Sequence, residues 1–370
     1  MSREILIGAL NRKQRISIGL AVAATLIAGV LARVMHGGAV MTFVASAAAL
    51  SLLAMLVGEA TEQLGTRMGP GATGVLQSAL GNLPELFVCI FSLRQGLVAV
   101  VQAALIGSIL ANSLLVLGLA ILLGGLKNGT QRFNSEPPRM IATLMLLAVA
   151  ALAVPTLAKE LHTPAESHAE ALSIACAVVL LIVFAASLPF SIKGDPAMIP
   201  AHDAEAPADG IAEVKHEAWP LGLALAVLAF AGVGAAFVSD WFVEALTPAM
   251  SALHLSQAFA GLVIVAIAGN AVENVVGIQL AMRNKSDYAI SVILNSSLQI
   301  ALGLTPILVL LSFVLGGAHL TLVLPPMLVA ALALSAIVSA FIVYDGESIW
   351  LEGVALIGLY GIIAAAFWWG

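Results

Sequence analysis

The sequence predicts an all-α polytopic membrane protein of about eleven transmembrane helices, arranged as one N-terminal helix and two inverted-topology five-helix repeats. Three observations support this fold class. Of the 370 residues, 61% are hydrophobic and only 10% are charged, whereas a soluble domain is about 25% charged. Apolar runs of about 20 residues, the length that crosses a bilayer, recur along almost the whole chain. A short polar motif also occurs twice, at positions 188 residues apart.

Breaks at glycine, proline and charged residues divide the chain into candidate helices. The first apolar stretch closes at Arg33 without a convincing cleavage site, so we interpret it as a span rather than a signal peptide. Cys89 and Cys176 lie in apolar segments and form no disulfide framework. The predicted spans lie near residues 16–35, 38–63, 72–93, 97–124, 139–158, 169–190, 219–243, 258–281, 287–315, 321–343 and 348–369.

Lysine and arginine residues predict the orientation of these spans. With the N-terminus assigned inside and the loops alternating, twelve basic residues fall inside and three, Arg33, Arg94 and Lys159, fall outside. Cytoplasmic loops carry an excess of positive charge, so the N-terminus is predicted to be cytoplasmic. The chain is expected to be an integral membrane protein, and its short loops favour a prokaryotic plasma (inner) membrane.

The recurring motif reveals an internal repeat. Gly81 to Glu85 (GNLPE) in the third span recurs as Gly269 to Glu273 (GNAVE) in the eighth. Positions related by this offset of 188 residues are called repeat-equivalent here. Five is an odd number of spans, so the halves enter the membrane from opposite sides, as in secondary transporters with a site near the midplane. The predicted regions are an N-terminal tail and first helix (1–36), a first repeat (37–190), an acidic cytoplasmic loop (191–218) and a second repeat (219–370).

Glu85 and Glu273 are the leading candidates for a binding site. A carboxylate near the bilayer centre costs about 2.5–3.5 kcal/mol, so a buried one is a functional candidate. Two glutamates match one divalent cation, and Asn82 and Asn270 would add the amide oxygens that Ca2+ also accepts. Simple bonding between helices is the alternative, which recurrence in both repeats disfavours. Further polar residues expected to line the site are Gln102, Ser108, Asn112, Asn295, Ser296, Ser297 and Gln299.

The charge balance of this pair suggests exchange. The two glutamates are neutral together when a divalent cation is bound, and neutral again when both are protonated. Burial and like-charge repulsion favour the protonated form when the site is empty. A site that switches its access from one side of the membrane to the other only when it is neutral would exchange a cation for protons. Sodium ions could fill the same role as the protons. No cofactor is expected, and Ca2+ enters as the transported substrate.

The acidic residues of the central loop and of the span ends each allow two interpretations. The loop at 191–218 is either a solvated linker or a segment that gathers cations near an entrance. Four carboxylates near span ends either relay ions or protons or are ordinary interfacial charges that cap helices or pair with Arg67. These candidate entrance carboxylates are Glu59, Glu62, Asp240 and Glu244.

The motifs resemble those of the calcium/cation antiporter superfamily, most closely its cation/proton exchanger (CAX-type) branch. The resemblance rests on residues 58–65, 81–86, 102–112, 269–273 and 296–300. It implies that the two motif glutamates ligate the cation and exchange it for protons, with polar residues of the fourth and ninth spans lining the site. The chain departs from the family pattern at three positions, which leaves ion selectivity open: Pro84, Asn295, and Asn274 in place of a common His.

The leading prediction is a secondary antiporter that exports Ca2+ from the cytoplasm in exchange for H+. A Na+/Ca2+ exchanger or a Na+(K+)/H+ antiporter of the same fold is the alternative, and an ion channel is disfavoured by the internal repeat. An enzyme is disfavoured because no catalytic motif surrounds the polar residues within the spans. The expected partners are Ca2+, H+ and the lipid bilayer, without nucleic acid; relatives form homo-oligomers, which allows one here.

Overall fold

The computed structural model describes residues 10–34, 38–65, 67, 76, 80–193 and 219–369, apart from the side chains of 189–193 and 271–273. This part of the chain is nearly all helical. Its helices are α1 (Arg12–Arg33), α2 (Ala39–Gly65), α3 (Leu83–Arg94), α4 (Val98–Leu110), α5 (Leu117–Asn128), α6 (Glu136–Glu160), α7 (Ala169–Lys193), α8 (Leu221–Leu253), α9 (Gln257–Phe259), α10 (Ala266–Gly269), α11 (Ala271–Met282), α12 (Ser286–Gln299), α13 (Thr305–Ser312), α14 (Pro326–Ile342) and α15 (Trp350–Trp368).

Short segments of other structure join these helices in the described chain. A 3-10 helix, Pro164–His168, precedes α7. Three π-helical segments lie within spans: Ala111–Val116, Ala260–Val265 and Ile300–Leu304. Strand β1 (Gln131–Arg132) pairs antiparallel with β2 (Glu347–Ser348).

The apolar helices confirm the predicted class of membrane protein. Within the described residues, eight helical segments are long and apolar enough to cross a membrane. A ninth results if 257–269 and 274–282, which meet at 63°, form one bent span. The third predicted span lies partly outside the described residues, and α14 has only 17 residues. The count of eleven spans is therefore not confirmed.

Two predicted span boundaries are wrong. Helix α8 continues to Leu253 instead of ending near residue 243, so Asp240 lies inside the helix rather than at its end. Helix α14 begins at Pro326 instead of residue 321. Proline at the first helical position is favourable, and the residue before a proline avoids the α conformation. Consequently Pro325, with φ −52° and ψ 131°, is not helical.

The non-helical segment Leu320–Pro325 is held by side chains of other helices. Gln102 Nε2 donates hydrogen bonds to the carbonyl oxygens of Thr321 and Val323, at 2.9 and 3.0 Å. Backbone polar groups buried away from water must be paired, and here side chains replace the missing helical bonds. The buried amides donate as follows: Leu320 to Ser312 Oγ (2.9 Å), Leu322 to Ser173 Oγ (2.9 Å) and Leu324 to Thr156 Oγ1 (2.8 Å).

Contacts between connecting segments fall into two groups. Each contact joins segments that the predicted alternation places on the same side of the membrane. The packing thus agrees with spans that alternate in direction. The predicted inner group comprises the β1–β2 pair, Asn134 N–H with Asp287 Oδ1 (2.6 Å) and Trp219 N–H with Gln63 Oε1 (3.0 Å). The predicted outer group comprises Arg33 with Asp240 (3.1 Å), His319 with Glu170 (3.2 Å) and Ser256 Oγ with the Phe367 carbonyl (2.6 Å).

In both repeats a new helix begins directly after the Gly-Asn pair of the motif. Helices α3 and α11 begin and end at repeat-equivalent positions. Asn82, which precedes α3, has φ −92° and ψ 15°, and Asn270, which precedes α11, has φ −103° and ψ 27°. The Gly-Asn pair therefore has the same local effect twice, which places each glutamate in the first turn of a new helix.

Buried apolar side chains form two clusters. One surrounds the long contact between α2 and α8, where Phe43 and Phe242 stack with ring centroids 4.8 Å apart. Helix α1 packs on this pair, and we call the three helices the α2–α8 unit. The other cluster holds side chains of α4–α7 and α12–α15 and is called the core. The two broken spans lie between them and contribute to both clusters.

Candidate functional site

Glu85 is fully buried at the start of α3. Its exposed fraction is 0%, and it lies in the first turn, where the helix dipole favours negative charge. Ser108 of α4, also 0% exposed, donates its hydroxyl hydrogen bond to Glu85 Oε1. The carboxyl group is thus placed by a helix N-terminus and by a side chain of the next span.

The motif of the second repeat lies directly against this carboxyl group. A Cβ atom built on Gly269 would be 3.3 Å from Glu85 Cβ and 3.7 Å from its carboxyl carbon. Glycine therefore permits the helix break of one repeat to touch the glutamate of the other. The two motifs, far apart in sequence, are therefore in direct contact at Gly269 and Glu85.

Asn112 connects the same two halves. It lies in the π-helical segment Ala111–Val116, a conformation that often occurs at functional sites. Its amide nitrogen donates to Asn270 Oδ1 at 3.2 Å and to Ser296 Oγ at 3.0 Å. Asn270 in turn donates to the Ala266 carbonyl at 2.9 Å. The result is a buried polar cluster with members from both repeats: Glu85, Ser108, Asn112, Asn270 and Ser296.

This cluster presents oxygen atoms suited to a hard cation. Asn112 Oδ1 is buried and has no hydrogen-bond partner within the described part of the chain. Carboxylate and amide oxygens are the ligands that Ca2+ takes in proteins. Among the described side chains, no group of three or more His, Cys, Asp or Glu residues is placed to hold a metal. Glu273 is in α11, but its side chain lies outside that description.

The other predicted lining residues are placed differently. Ser297 is buried and donates to the Ile109 carbonyl at 3.5 Å. Ile109 is the repeat-equivalent residue of Ser297. Asn82, the second residue of the first motif, is 8% exposed. Asn295 and Gln299 are half-buried. Gln102, predicted to line the site, instead binds the segment Leu320–Pro325, six residues and roughly 9 Å along α4 from Ser108.

The predicted entrance carboxylates have local partners. Asp240 and Glu244 both pair with Arg33, at 3.1 and 3.3 Å, and their side chains are 35% and 45% exposed. The side chain of Gln14 hydrogen-bonds Glu59, and Glu62 is half-buried near the end of α2. Arg67, one partner proposed for these acids, donates to the Trp219 carbonyl. The arrangement at Arg33 is that of an ordinary surface ion pair.

Close glycine packing was not predicted from the sequence. A Cβ on Gly107 would overlap the Leu262 carbonyl, and one on Gly261 would overlap the Val100 carbonyl. The backbones of α4 and of the segment Ala260–Val265 therefore touch. This crossing fixes the helix that carries Ser108 against the span that carries the second motif. Its one sequence signal is a glycine immediately before Ser108.

The sequence and the fold match known proteins. A family model described as sodium/calcium exchanger protein matches residues 38–193 and 223–369. A Ca(2+)/H(+) antiporter from Aphanothece halophytica is 36% identical over 343 residues, covering 90% of this chain and 91% of that protein. The Ca(2+)/H(+) antiporter ChaA from Bacillus subtilis is 32% identical over 350 residues, covering 94% and 97%.

Solved structures agree with this match. The structure of native YfkE superposes with a TM-score of 0.79 at 30% identity, over 95% of this chain and 99% of that one. That of the H+/Ca2+ exchanger CAX has a TM-score of 0.74 at 18% identity, over 96% and 92%, and supports the fold alone. The family model and the sequence relatives each extend over most of both repeats, so the chain belongs to the sodium/calcium exchanger protein family.

Proposed function

We propose that this protein is a secondary antiporter that exports Ca2+ from the cytoplasm in exchange for H+, by alternating access at a midplane site containing Glu85 and Glu273. Two curated relatives that match it along nearly their whole length are named Ca(2+)/H(+) antiporters. The observation that carries the proposal is the burial of Glu85 against Gly269 of the other motif.

Burial makes cation and proton compete for the same carboxyl group. An ionised carboxylate away from water is strongly unfavourable unless a positive charge compensates it. Either Ca2+ or protons would supply that compensation. With the site empty and ionised, the protein would not switch access from one side of the membrane to the other. The Ser108 hydroxyl can donate to the carboxylate and so helps to keep it oriented during the exchange.

The site would be built jointly by the two repeats. Glu85 and the free oxygen of Asn112 come from the first repeat, while Glu273 and Asn270 come from the second. A cation bound among them would hold the two broken helices together, and protonation would release it. Alternating access then requires the α2–α8 unit to move relative to the core while these ligands stay together.

The proposed direction of transport rests on the proton gradient across the membrane in which the protein is expected to lie. The positive-inside bias favours a cytoplasmic N-terminus, and the loop contacts are compatible with alternating spans. Short loops favour a prokaryotic plasma membrane. Proton entry down its gradient would then drive Ca2+ out of the cell.

Radioactive calcium uptake into vesicles containing the purified protein tests the proposal. With the vesicle interior acidic, the unmodified protein is expected to accumulate calcium, whereas Glu85→Gln and Glu273→Gln are each expected to lose uptake. Glu347→Gln is the matched control, because Glu347 is a surface carboxylate, 51% exposed, that pairs with Arg132. Its removal costs at most about 1 kcal/mol of stability.

The outcomes separate the coupling ion from the site. Uptake driven by internal Na+ rather than by protons would make Na+ the coupling ion. The position of Asn274, with a buried and unpartnered Oδ1 in the described chain next to Glu273, gives this alternative a structural basis. No calcium flux under either gradient would overturn the calcium assignment. Uptake that survives both glutamate substitutions would overturn the site.

A further inference from the structure

A serine of the α2–α8 unit touches the helix break of the second repeat. Ser51 of α2 shares its hydroxyl between the Ala47 carbonyl, at 3.0 Å, and the Ala268 carbonyl, at 3.4 Å. Ala268 is the residue before Gly269, so its carbonyl is among those left without a helical partner at the end of α10. Ser51 therefore links the unit to the backbone beside the candidate site.

The repeat-equivalent residue of Ser51 is also a serine, but it has no such contact. Ser239 of α8 is 0% exposed, and its Oγ has no hydrogen-bond partner within the described residues. A serine in a helix normally binds the carbonyl one turn earlier, and a buried hydroxyl without a partner is unfavourable. The buried hydroxyl of Ser239 therefore needs a hydrogen-bond partner that its own helix does not provide.

The inverted repeat supplies a partner for Ser239. The repeat-equivalent residue of Ala268 is Leu80, which precedes the GNLPE motif as Ala268 precedes GNAVE. Leu80 packs against the same apolar cluster that contains α2 and α8. Helix α8 also packs along α3, as α2 packs along α11. Ser239 and Leu80 are therefore the counterparts of Ser51 and Ala268.

We propose that Ser51 and Ser239 are reciprocal positioning residues that hold opposite conformations of the exchanger. In the conformation described, Ser51 binds the carbonyl beside the second motif and Ser239 has no partner among the described residues. In the opposite-facing conformation, the α2–α8 unit shifts so that Ser239 binds the Leu80 carbonyl and Ser51 releases Ala268. The inference rests on the proposed alternating access and adds the groups that balance its two states.

Each serine would contribute one hydrogen bond to one state, so the two bonds offset each other. Loss of either bond is expected to change the ratio of the two states by about two- to fivefold, the effect of one modest hydrogen bond. The directions must be opposite, because Ser51 would favour the present state and Ser239 the other. A purely packing role for these small side chains would not produce opposite signs.

Distances between spin labels measure this ratio without any transported ion. One label is placed at Ser251→Cys, on the exposed end of α8, and the other at Ser167→Cys, on the exposed connection before α7. Cys89 and Cys176 are replaced by Ala in this background. In lipid nanodiscs, Ser51→Ala is expected to decrease the distance population of the present conformation, and Ser239→Ala is expected to increase it.

Ser46→Ala is the matched control. Ser46 lies on α2, is 0% exposed and has an Oγ without a partner in the described chain, but its repeat-equivalent residue is Gly234. This variant is expected to leave the populations unchanged. The proposal is overturned if Ser51→Ala and Ser239→Ala shift the populations in the same direction, if neither shifts them, or if all proteins show one population.

Calcium uptake by the same variants separates this inference from the proposed function. A biased equilibrium lowers apparent affinity on the face whose open state becomes rarer. The two serine variants are therefore expected to change calcium half-saturation on the two faces in opposite senses. If the unmodified protein transports no calcium but the two serine variants still shift the conformational populations in opposite directions, the proposed function is rejected and the proposed role of Ser51 and Ser239 is supported. Normal transport with unchanged populations rejects the serine pair alone.

Discussion

The backbone of Gly269 lies against the side chain of Glu85, close enough that an added Cβ would be 3.3 Å from the glutamate's own Cβ. Gly269 opens the motif of the second repeat, and Glu85 closes the motif of the first. The helix break of the second repeat therefore contributes to the surroundings of the first repeat's glutamate. The two motifs are thus in contact in the fold even though they are 188 residues apart in sequence.

The substitution Gly269→Ala is expected to reduce calcium uptake without unfolding the protein. The new methyl group is closer to Glu85 than an ordinary van der Waals contact, so the glutamate must move by a few tenths of an ångström. Displacement of a binding group on that scale is expected to lower the initial rate about tenfold at subsaturating calcium. Gly232→Ala in α8 is the control, since nothing lies within 4 Å of its added Cβ. Equal rates in the two variants would contradict the importance of this contact.

Much of the site could be predicted from the sequence because the repeat made it visible. Apolar runs predicted the helices, and the repeated motif marked the two positions at which α3 and α11 begin. Ser108 of α4 and Asn112 of the π-helical segment that follows it, one turn apart, contact Glu85 and Asn270 of the two motifs. Their partners depend on the packing of one repeat against the other, which local sequence does not specify.

Other features could not be predicted, for physical reasons. The segment Leu320–Pro325 is as apolar as a helix, so hydropathy does not distinguish its conformation. Its hydrogen bonds come from side chains such as Gln102 and Thr156, which are distant in sequence. The extent of α8 was obscured because Asp240 resembles the end of a span. In the structure α8 continues past Asp240, which pairs with Arg33.

Enlarging either glycine of the α4 crossing is expected to destabilise the fold. In Gly107→Ala or Gly261→Ala, the new methyl group meets backbone atoms that cannot rotate away. Overpacking of this kind costs about 1–3 kcal/mol. Thermal unfolding in detergent should therefore occur at a lower temperature for both variants. Gly358→Ala, whose added Cβ has nothing within 4 Å, should unfold as the unmodified protein does. A crossing that tolerates both substitutions would contradict the close backbone contact.

Replacing Thr156 by Val is expected to loosen the segment before α14. The substitution nearly preserves volume but removes the hydroxyl that accepts from the Leu324 amide at 2.8 Å. An unpaired buried amide costs about 1–3 kcal/mol, so the unfolding temperature should fall and exchange of the Leu324 amide with deuterium should accelerate. Thr143→Val is the control on the same helix, because its exposed hydroxyl donates only to the Arg139 carbonyl in the described chain. An effect of equal size in the control would reject the specific role of Thr156.

Neutralising Asp240 and Glu244 distinguishes an ion relay from a surface ion pair. Both carboxylates contact Arg33 and are partly exposed, so water and salt screen their charges. Such pairs contribute about 0–1 kcal/mol to stability. In vesicles with an imposed proton gradient, Asp240→Asn and Glu244→Gln are therefore expected to retain calcium uptake within about twofold of the unmodified rate, which corresponds to less than 1 kcal/mol. Arg33→Gln should give the same result, because it removes the same pair from the other side. A relay predicts the opposite pattern, in which the two acidic substitutions slow uptake more than tenfold and the arginine substitution does not.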